Sequence, residues 1–350
     1  MRRIIRLVHT YVGLALSLLF LVFAVTGGAL VYKEAYWRLV YPELRVPALE
    51  LDADFHAAAI AAAKEHFGEN VLSVKMPEPG VGGYHLYLDG GEAFLSAVDH
   101  HLIDSWQPSE RVMSFLFDLH AHLMAGDVGE RIGGVIGLLG VFLSVTGLIL
   151  WWPTRRRFAL RHLLPRDLSV RSLLLWHRDL GVVTSPILLV LLLTGSGLVF
   201  YATAQTLLNG AFGDPVPTAP APILNPSTPL ELPTAAMIAR VEAAFPEGRI
   251  VFYYPPRAGV TFHEFRLKQP CELHPNGRSY VYLDAAGNLL QKTDACALPP
   301  GERAVHAFYP LHAGKADSAV YKLAVFIAAV ALAIIAMSGV VTYLRRLRSS

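Results

Sequence analysis

Four histidines, His9, His120, His177 and His312, carry the spacing that could do chemistry in this chain of 350 residues. The segment that starts at His9, HTYVGLALSLLFLVFAVTGGALVY, recurs at His177 as HRDLGVVTSPILLVLLLTGSGLVF. The two align without a gap. His9 falls on His177, Gly13 on Gly181, Thr26-Gly27 on Thr194-Gly195, and Leu30-Val31 on Leu198-Val199. A second ungapped pairing sets Leu119-His120 on Leu311-His312 and Thr146-Gly147 on Ser338-Gly339. Neutral imidazole is a strong metal ligand, and two imidazoles facing each other across a helical bundle supply both axial ligands of a b-type haem. A lone histidine at a helix end is ordinarily an interfacial polar residue; four that pair under two independent alignments argue for ligation. The expectation is two bis-histidine haems, one held by His9 and His177 and one by His120 and His312. No C-x-x-C-H motif is present, so covalent attachment is not expected.

Other residues compete for these roles. His122 rivals His120, but its counterpart is Gly314; His306 has Ser114 as counterpart. His85, His100, His101, His263 and His274 read as solvated or substrate-facing. Arg2, Arg6 and Arg178 could pair the carboxylates of the first haem, since guanidinium suits carboxylate, although setting membrane topology explains them equally well. The Thr-Gly pairs read as small residues that permit close helix contact.

The elements that must position these histidines follow from composition. The chain is 53% hydrophobic and 17% charged, with a net charge of +2. Soluble domains carry about 25% charged residues, and a net charge near zero gives no sign of a nucleic-acid partner. The apolar excess sits in four blocks, 7–31, 132–152, 180–201 and 323–344, free of Asp, Glu, Lys and Arg. Each is long enough to cross a hydrocarbon core of about 30 Å. The first block exceeds a signal-peptide core, and no A-x-A-like site follows it.

Basic residues orient the spans. Arg2, Arg3 and Arg6 precede the first block. Arg155, Arg156, Arg157, Arg161, Arg166, Arg171 and Arg178 lie between the second and third, offset by Asp167 and Asp179. Arg345, Arg346 and Arg348 follow the fourth. Both termini and the short middle loop are therefore expected in the cytoplasm, and the two long loops outside. The first histidine pair would then lie near the inner face and the second near the outer face. Two redox centres so placed make a path for electrons across the bilayer.

The long loops read as related helix-plus-sheet modules. In the first, 54–67 suits a helix, 71–76 alternates as a strand, and 84–88 and 93–98 read as strands around the Asp89-Gly90-Gly91 turn. In the second, 235–255 aligns with 57–77, and strands are expected at 250–254, 263–267, 279–284 and 289–292. A proline-dense linker over 214–233 precedes it. Cys271 and Cys296, the two cysteines, lie in this second loop. An oxidising compartment outside favours a disulfide between them. The domain order is span 1–32, module 33–119, span with lead-in 120–153, loop 154–176, span 177–205, module with linker 206–311, span with lead-in 312–345 and tail 346–350. The fold class is a membrane four-helix bundle built from two parallel repeats, with two α+β modules.

At this point the chain resembles the PepSY-associated transmembrane family. The H-x-x-x-G entrances (His9, Gly13; His177, Gly181) and the Thr-Gly exits carry the resemblance, with Leu119-His120, Gly126 and Gly129, and Leu311-His312-Ala313-Gly314. It spans essentially the whole chain, and the modules look like the PepSY folds of that family. It implies an iron-regulated bacterial inner-membrane protein, and in one branch a haem-containing ferric-siderophore reductase. There, electrons from the cytoplasmic side reach Fe(III) outside, and Fe(II) leaves its chelator. Some relatives add a flavin and nicotinamide domain; this chain stops at Ser350, so neither cofactor is expected. A membrane quinol or a separate cytoplasmic reductase would be the donor, and a ferric siderophore or other Fe(III) chelate the acceptor. Two alternatives are a non-enzymatic protein that senses or inhibits envelope peptidases, and a carrier for siderophore or haem uptake.

Overall fold

The computed structural model describes residues 1–46, 52–165, 167–214, 233–257 and 260–349. Arg166 and nearly all of the linker expected over 214–233 lie outside the described residues. In chain order the helices are α1 (Arg2–Leu30), α2 (Lys33–Val40), α3 (Ala53–Phe67), α4 (Val112–His122), α5 (Gly126–Trp151), α6 (Val170–Val199), α7 (Tyr201–Phe212), α8 (Ala235–Ala244), α9 (Pro300–His306), α10 (Phe308–His312) and α11 (Ala319–Ser349). The strands are β1 (Val71–Lys75), β2 (Gly83–Leu88), β3 (Gly91–Ser96), β4 (Leu102–Trp106), β5 (Arg249–Tyr254), β6 (His263–Lys268), β7 (Ser279–Leu283) and β8 (Leu289–Thr293). These elements form two compact units.

The helical unit comprises Met1–Val31, Phe115–Gln205 and Ala307–Ser350. Four of its helices are long and apolar enough to cross a membrane, which makes this a multi-pass membrane protein. In the bundle α1 neighbours α5 and α11, and α6 neighbours the same two, so α1 and α6 face each other across the diagonal. Small residues set the spacing. A Cβ on Gly134 would lie 2.7 Å from Phe200, and one on Gly140 2.8 Å from Leu192, so α6 could not approach α5 past larger side chains. Ser196 Oγ donates to the Gly134 carbonyl at 3.0 Å in the same seam. Pro186 lies inside α6. Its missing N–H frees the Val182 carbonyl, which accepts instead from Ser185 Oγ at 2.9 Å.

The sheet unit comprises Tyr32–Ser114 and Thr206–His306. Its eight strands form one antiparallel sheet in the order β4-β3-β2-β1-β5-β6-β7-β8. The two helix-plus-strand modules thus share a sheet, joined where Val74 pairs with Tyr253 and Lys75 with Phe252. Helices α3 and α8 bury Ala59, Ile60, Ala63, Ile238 and Val241 with Tyr84, Leu86, Phe265 and Val281 of the strands. Asp52 caps α3 by accepting from Phe55 N at 2.9 Å, and Thr234 caps α8 through Met237 N. Strand β4, at one edge, is an element the sequence pattern did not suggest. Cys271 and Cys296 are disulfide-bonded, with their Cα atoms 6.0 Å apart.

Candidate functional site

His9 projects from α1 and His177 from α6, so the two rings meet across the bundle diagonal. Their centroids are 6.4 Å apart with planes at 86°. His120 is carried by α4 and His312 by α10, the short helices that lead into α5 and α11. Those rings are 6.0 Å apart at 41°. A direct N–H···N bond of about 2.9 Å would bring two ring centres to about 5 Å. A metal–nitrogen bond of about 2 Å on each side, plus about 1.1 Å from nitrogen to ring centre, places two imidazoles on opposite sides of one metal about 6.2 Å apart. Both pairs match the second spacing.

Hydrogen bonds fix the tautomers. His177 Nδ1 lies 3.0 Å from the Ile335 carbonyl, with Ser338 Oγ at 3.3 Å. His312 Nδ1 lies 2.9 Å from the Leu191 carbonyl. A carbonyl only accepts, so both Nδ1 atoms carry the proton. His9 Nδ1 is 2.9 Å from Thr146 Oγ1, and His120 Nδ1 is 2.9 Å from Thr26 Oγ1. Each threonine already donates its hydroxyl proton to a carbonyl one turn back, Phe142 for Thr146 and Val22 for Thr26. Each hydroxyl must therefore accept from the imidazole. All four rings carry N–H at Nδ1 and keep a lone pair at Nε2, the state in which a buried histidine ligates metal with its other nitrogen anchored.

A glycine backs every ring. A Cβ on Gly27 would lie 2.7 Å from His120 Cε1, and one on Gly195 2.6 Å from His312 Cε1. Gly147 stands in the same relation to His9 at 3.4 Å, and Gly339 to His177 at 3.6 Å. Each spanning helix thus carries a hydroxyl–glycine dipeptide whose glycine backs a histidine ring: Thr26-Gly27, Thr146-Gly147, Thr194-Gly195 and Ser338-Gly339; α6 carries a further one, Ser196-Gly197, whose hydroxyl bonds Gly134 of α5. In three of them the hydroxyl lies at the Nδ1 of the histidine that the glycine accommodates. From sequence alone the Thr-Gly pairs read as helix spacers. The recurrence of such a dipeptide in every span is the available signal.

A cavity of about 840 Å³ opens at the first pair, lined by His9, Gly13, Gly147, His177, Gly181 and Gly339 among others. Gly13 and Gly181 follow their histidines by one turn, and no atom lies within 4 Å of a Cβ built on either. Side chains there would fill the cavity. Its volume is within the range of about 300–1,000 Å³ usual for cofactor-sized ligands. Among the described residues, no group of three or more His, Cys, Asp or Glu side chains could hold a bare metal ion. Two facing imidazoles and a glycine-lined cavity suit an iron whose remaining ligands come from a macrocycle.

The remaining candidates fall elsewhere. His122 Nδ1 lies 3.1 Å from Asp118 on its own helix and is half-exposed. Arg6 and Arg178 both line the cavity, and Arg2 is exposed. The Arg178 guanidinium is bidentate on wholly buried Asp179, at 2.5 and 2.8 Å, and also donates to the Arg157 carbonyl. Asp179 in turn holds His162 at 2.6 Å, clamping the preceding loop to α6. The expectation that the module histidines are solvated needs correction. His85, His263 and His274 are buried. Register puts His85 opposite Phe94, where Trp37 covers it and Glu92 accepts from its Nε2 at 2.6 Å. Burial pushes its pKa down to about 4. His263 faces the core beside Tyr253 OH at 3.0 Å and is likewise pushed down to about 4 by burial. His100 Nε2 is buried without a partner, whereas His101 is exposed on Asp99.

The family model for the PepSY-associated TM region matches residues 6–346, nearly the whole chain. No curated protein matches the sequence. The chain belongs to the PepSY-associated transmembrane family.

Proposed function

We propose that this member of the PepSY-associated transmembrane family is a di-haem electron carrier that reduces an Fe(III) chelate across a bacterial inner membrane. The observation that carries this reading is the pair of facing imidazole sets at 6.4 and 6.0 Å, with every Nδ1 proton engaged. Each haem, when bound, supplies an iron centre that takes up and passes on one electron. His9 and His177 would hold one, and His120 and His312 the other. Thr146, Thr26 and the Ile335 and Leu191 carbonyls hold the imidazoles in the ligating tautomer. The apolar helices around them exclude water.

The basic residues flanking the spans support cytoplasmic termini and periplasmic long segments. The two ungapped alignments support two units that enter the membrane in the same sense. Electrons would then enter at the His9–His177 side, from a quinol or a cytoplasmic reductase, and leave at the His120–His312 side. One electron converts Fe(III) of the chelate to Fe(II), which the chelator holds more weakly and releases. Two fixed ligand pairs favour electron transfer over carriage of the chelate, which needs a single site opening alternately to each side.

The test uses proteoliposomes with a reductant sealed inside and a ferric siderophore with an Fe(II)-trapping dye outside. The expected result is Fe(II) outside, abolished by His9→Ala or His312→Ala, with the chelator remaining outside. Haem that cycles with no Fe(II) formed would refute the proposed acceptor. Chelate accumulating inside would move the assignment to a carrier.

A further inference from the structure

Two buried polar atoms on the wall of the first cavity are left over by everything described above. Trp151 Nε1 and Thr342 Oγ1 are both inaccessible to solvent and have no hydrogen-bond partner among the described residues. Both residues line the cavity. The Thr342 orphan is unusual for its setting. Thr26, Thr146, Thr184 and Thr194, on the same set of helices, each return the hydroxyl proton to a carbonyl one turn back. Thr342 does not, so its hydroxyl is left without a partner among the described residues. An indole N–H buried without an acceptor is also costly, and native proteins rarely leave one. Neither atom is satisfied by the protein's described residues.

Their positions say what partner would satisfy them. Trp151 lies one turn beyond Gly147 on α5, and Thr342 one turn beyond Ser338-Gly339 on α11. Those are the residues that seat His9 and His177. Helices α5 and α11 stand on the other diagonal of the bundle, so the two donors approach the cavity from opposite sides. Arg6, one turn before His9, lines the same cavity. Phe20 and Leu188 form buried apolar wall elsewhere in it. The ligand therefore needs an apolar body and two separate acceptors along one edge.

We infer that Trp151 Nε1 and Thr342 Oγ1 each bind one carboxylate of the cofactor held by His9 and His177, with Arg6 supplying countercharge. The acidic edge then lies toward the arginine-rich ends of the helices. This rests on the di-haem reading and adds the residues that select a dicarboxylate macrocycle and fix which way it enters. Arg178 is not assigned this role, because Asp179 already occupies its guanidinium.

The test uses the full chain in detergent carrying His312→Ala, which leaves the first histidine pair intact. It is titrated with haem and with haem whose two carboxylates are methyl esters, and binding is read from the visible spectrum. With Trp151 and Thr342 present, the acid should bind tighter than the ester by about tenfold or more, the size of one charge-assisted hydrogen bond. Trp151→Phe and Thr342→Val should each shrink that preference severalfold. The bis-imidazole spectrum should be unchanged, because neither residue is a ligand. Equal affinity for acid and ester overturns the assignment, and that comparison needs no substitution at either position. Full preference retained in the double variant overturns it as well. Failure to take up any haem, here and in the chain with all four histidines, overturns both this assignment and the reading beneath it. Haem uptake without discrimination overturns the assignment alone.

Discussion

Replacing Gly27 by alanine should empty the His120–His312 site while the His9–His177 site stays filled. The added Cβ would lie 2.7 Å from His120 Cε1 and 3.3 Å from its Nδ1. Carbon atoms pack at about 3.5–4.0 Å, so the ring must move. It cannot move freely, because its Nδ1 proton is held by Thr26, the neighbour of the mutated residue. Crowding of this kind costs about 1–3 kcal/mol, and a lost hydrogen bond adds about 1. Against this, Gly→Ala inside a helix stabilises by about 1 kcal/mol. The net penalty falls on ligand placement, and about 1–3 kcal/mol there lowers haem affinity roughly 5- to 150-fold.

Gly195→Ala should behave the same way, its Cβ lying 2.6 Å from His312 Cε1. Gly147→Ala and Gly339→Ala should not. There the nearest ring atoms are 3.4 and 3.6 Å away, close to ordinary contact, and the gain in helix propensity dominates. The assay is haem per chain together with the reduced visible spectrum after haem-replete expression. One site lost in Gly27→Ala and Gly195→Ala, with two retained in Gly147→Ala and Gly339→Ala, is the expected pattern. Four equivalent variants, whether all intact or all damaged, would refute the reasoning from ring contacts.

Thr26→Val and Thr146→Val keep shape but remove the acceptor for an imidazole N–H; each should shift the midpoint potential of its own haem and weaken binding by about 10- to 100-fold, read by potentiometric titration. His122→Ala should retain both haems in the same spectra, since His122 is engaged with Asp118. The sheet unit should lose stability in acid. His263 in the unfolded chain accepts a proton below about 6.5, but in the fold only below about 4. Stability present above pH 6.5 is therefore lost as pH falls toward 4. The upper bound is about 3 kcal/mol from this residue, and His263→Gln should flatten the pH dependence of denaturant unfolding. Reducing the Cys271–Cys296 bridge opens a loop with a sequence separation of 25. That should cost about 3 kcal/mol, seen as a lower unfolding midpoint of the sheet unit in the presence of reductant.

The spans could be read because each is a charge-free apolar block long enough to cross a membrane, and most strands because turn residues bound short runs rich in aliphatic and aromatic residues. Strand β4 could not. Its sequence Leu-Ile-Asp-Ser-Trp has no clean alternation, and it pairs on one side only. Nor could the single sheet, because the β1–β5 pairing joins segments far apart in the chain and depends on no local signal. Among the site residues, the histidines are legible through the two ungapped alignments. The hydroxyl–glycine dipeptides are visible as a pattern, but their purpose is not. Thr146 serves His9 and Thr26 serves His120, each on a different helix, and a tertiary contact leaves no mark on local spacing. The buried state of His85 and His263 was hidden for a related reason. Alternation alone does not say that Trp37 covers one face of β2 or that His263 faces the helices.

The central claim is that four histidines hold two haems. The direct measurement is haem stoichiometry with oxidised and reduced spectra of the purified full chain, beside His9→Ala and His120→Ala. Two low-spin b-type haems per chain, with each variant losing or altering a different one, is the result this account requires. A chain that carries no haem after haem-replete expression, or whose haem is indifferent to both substitutions, would contradict it.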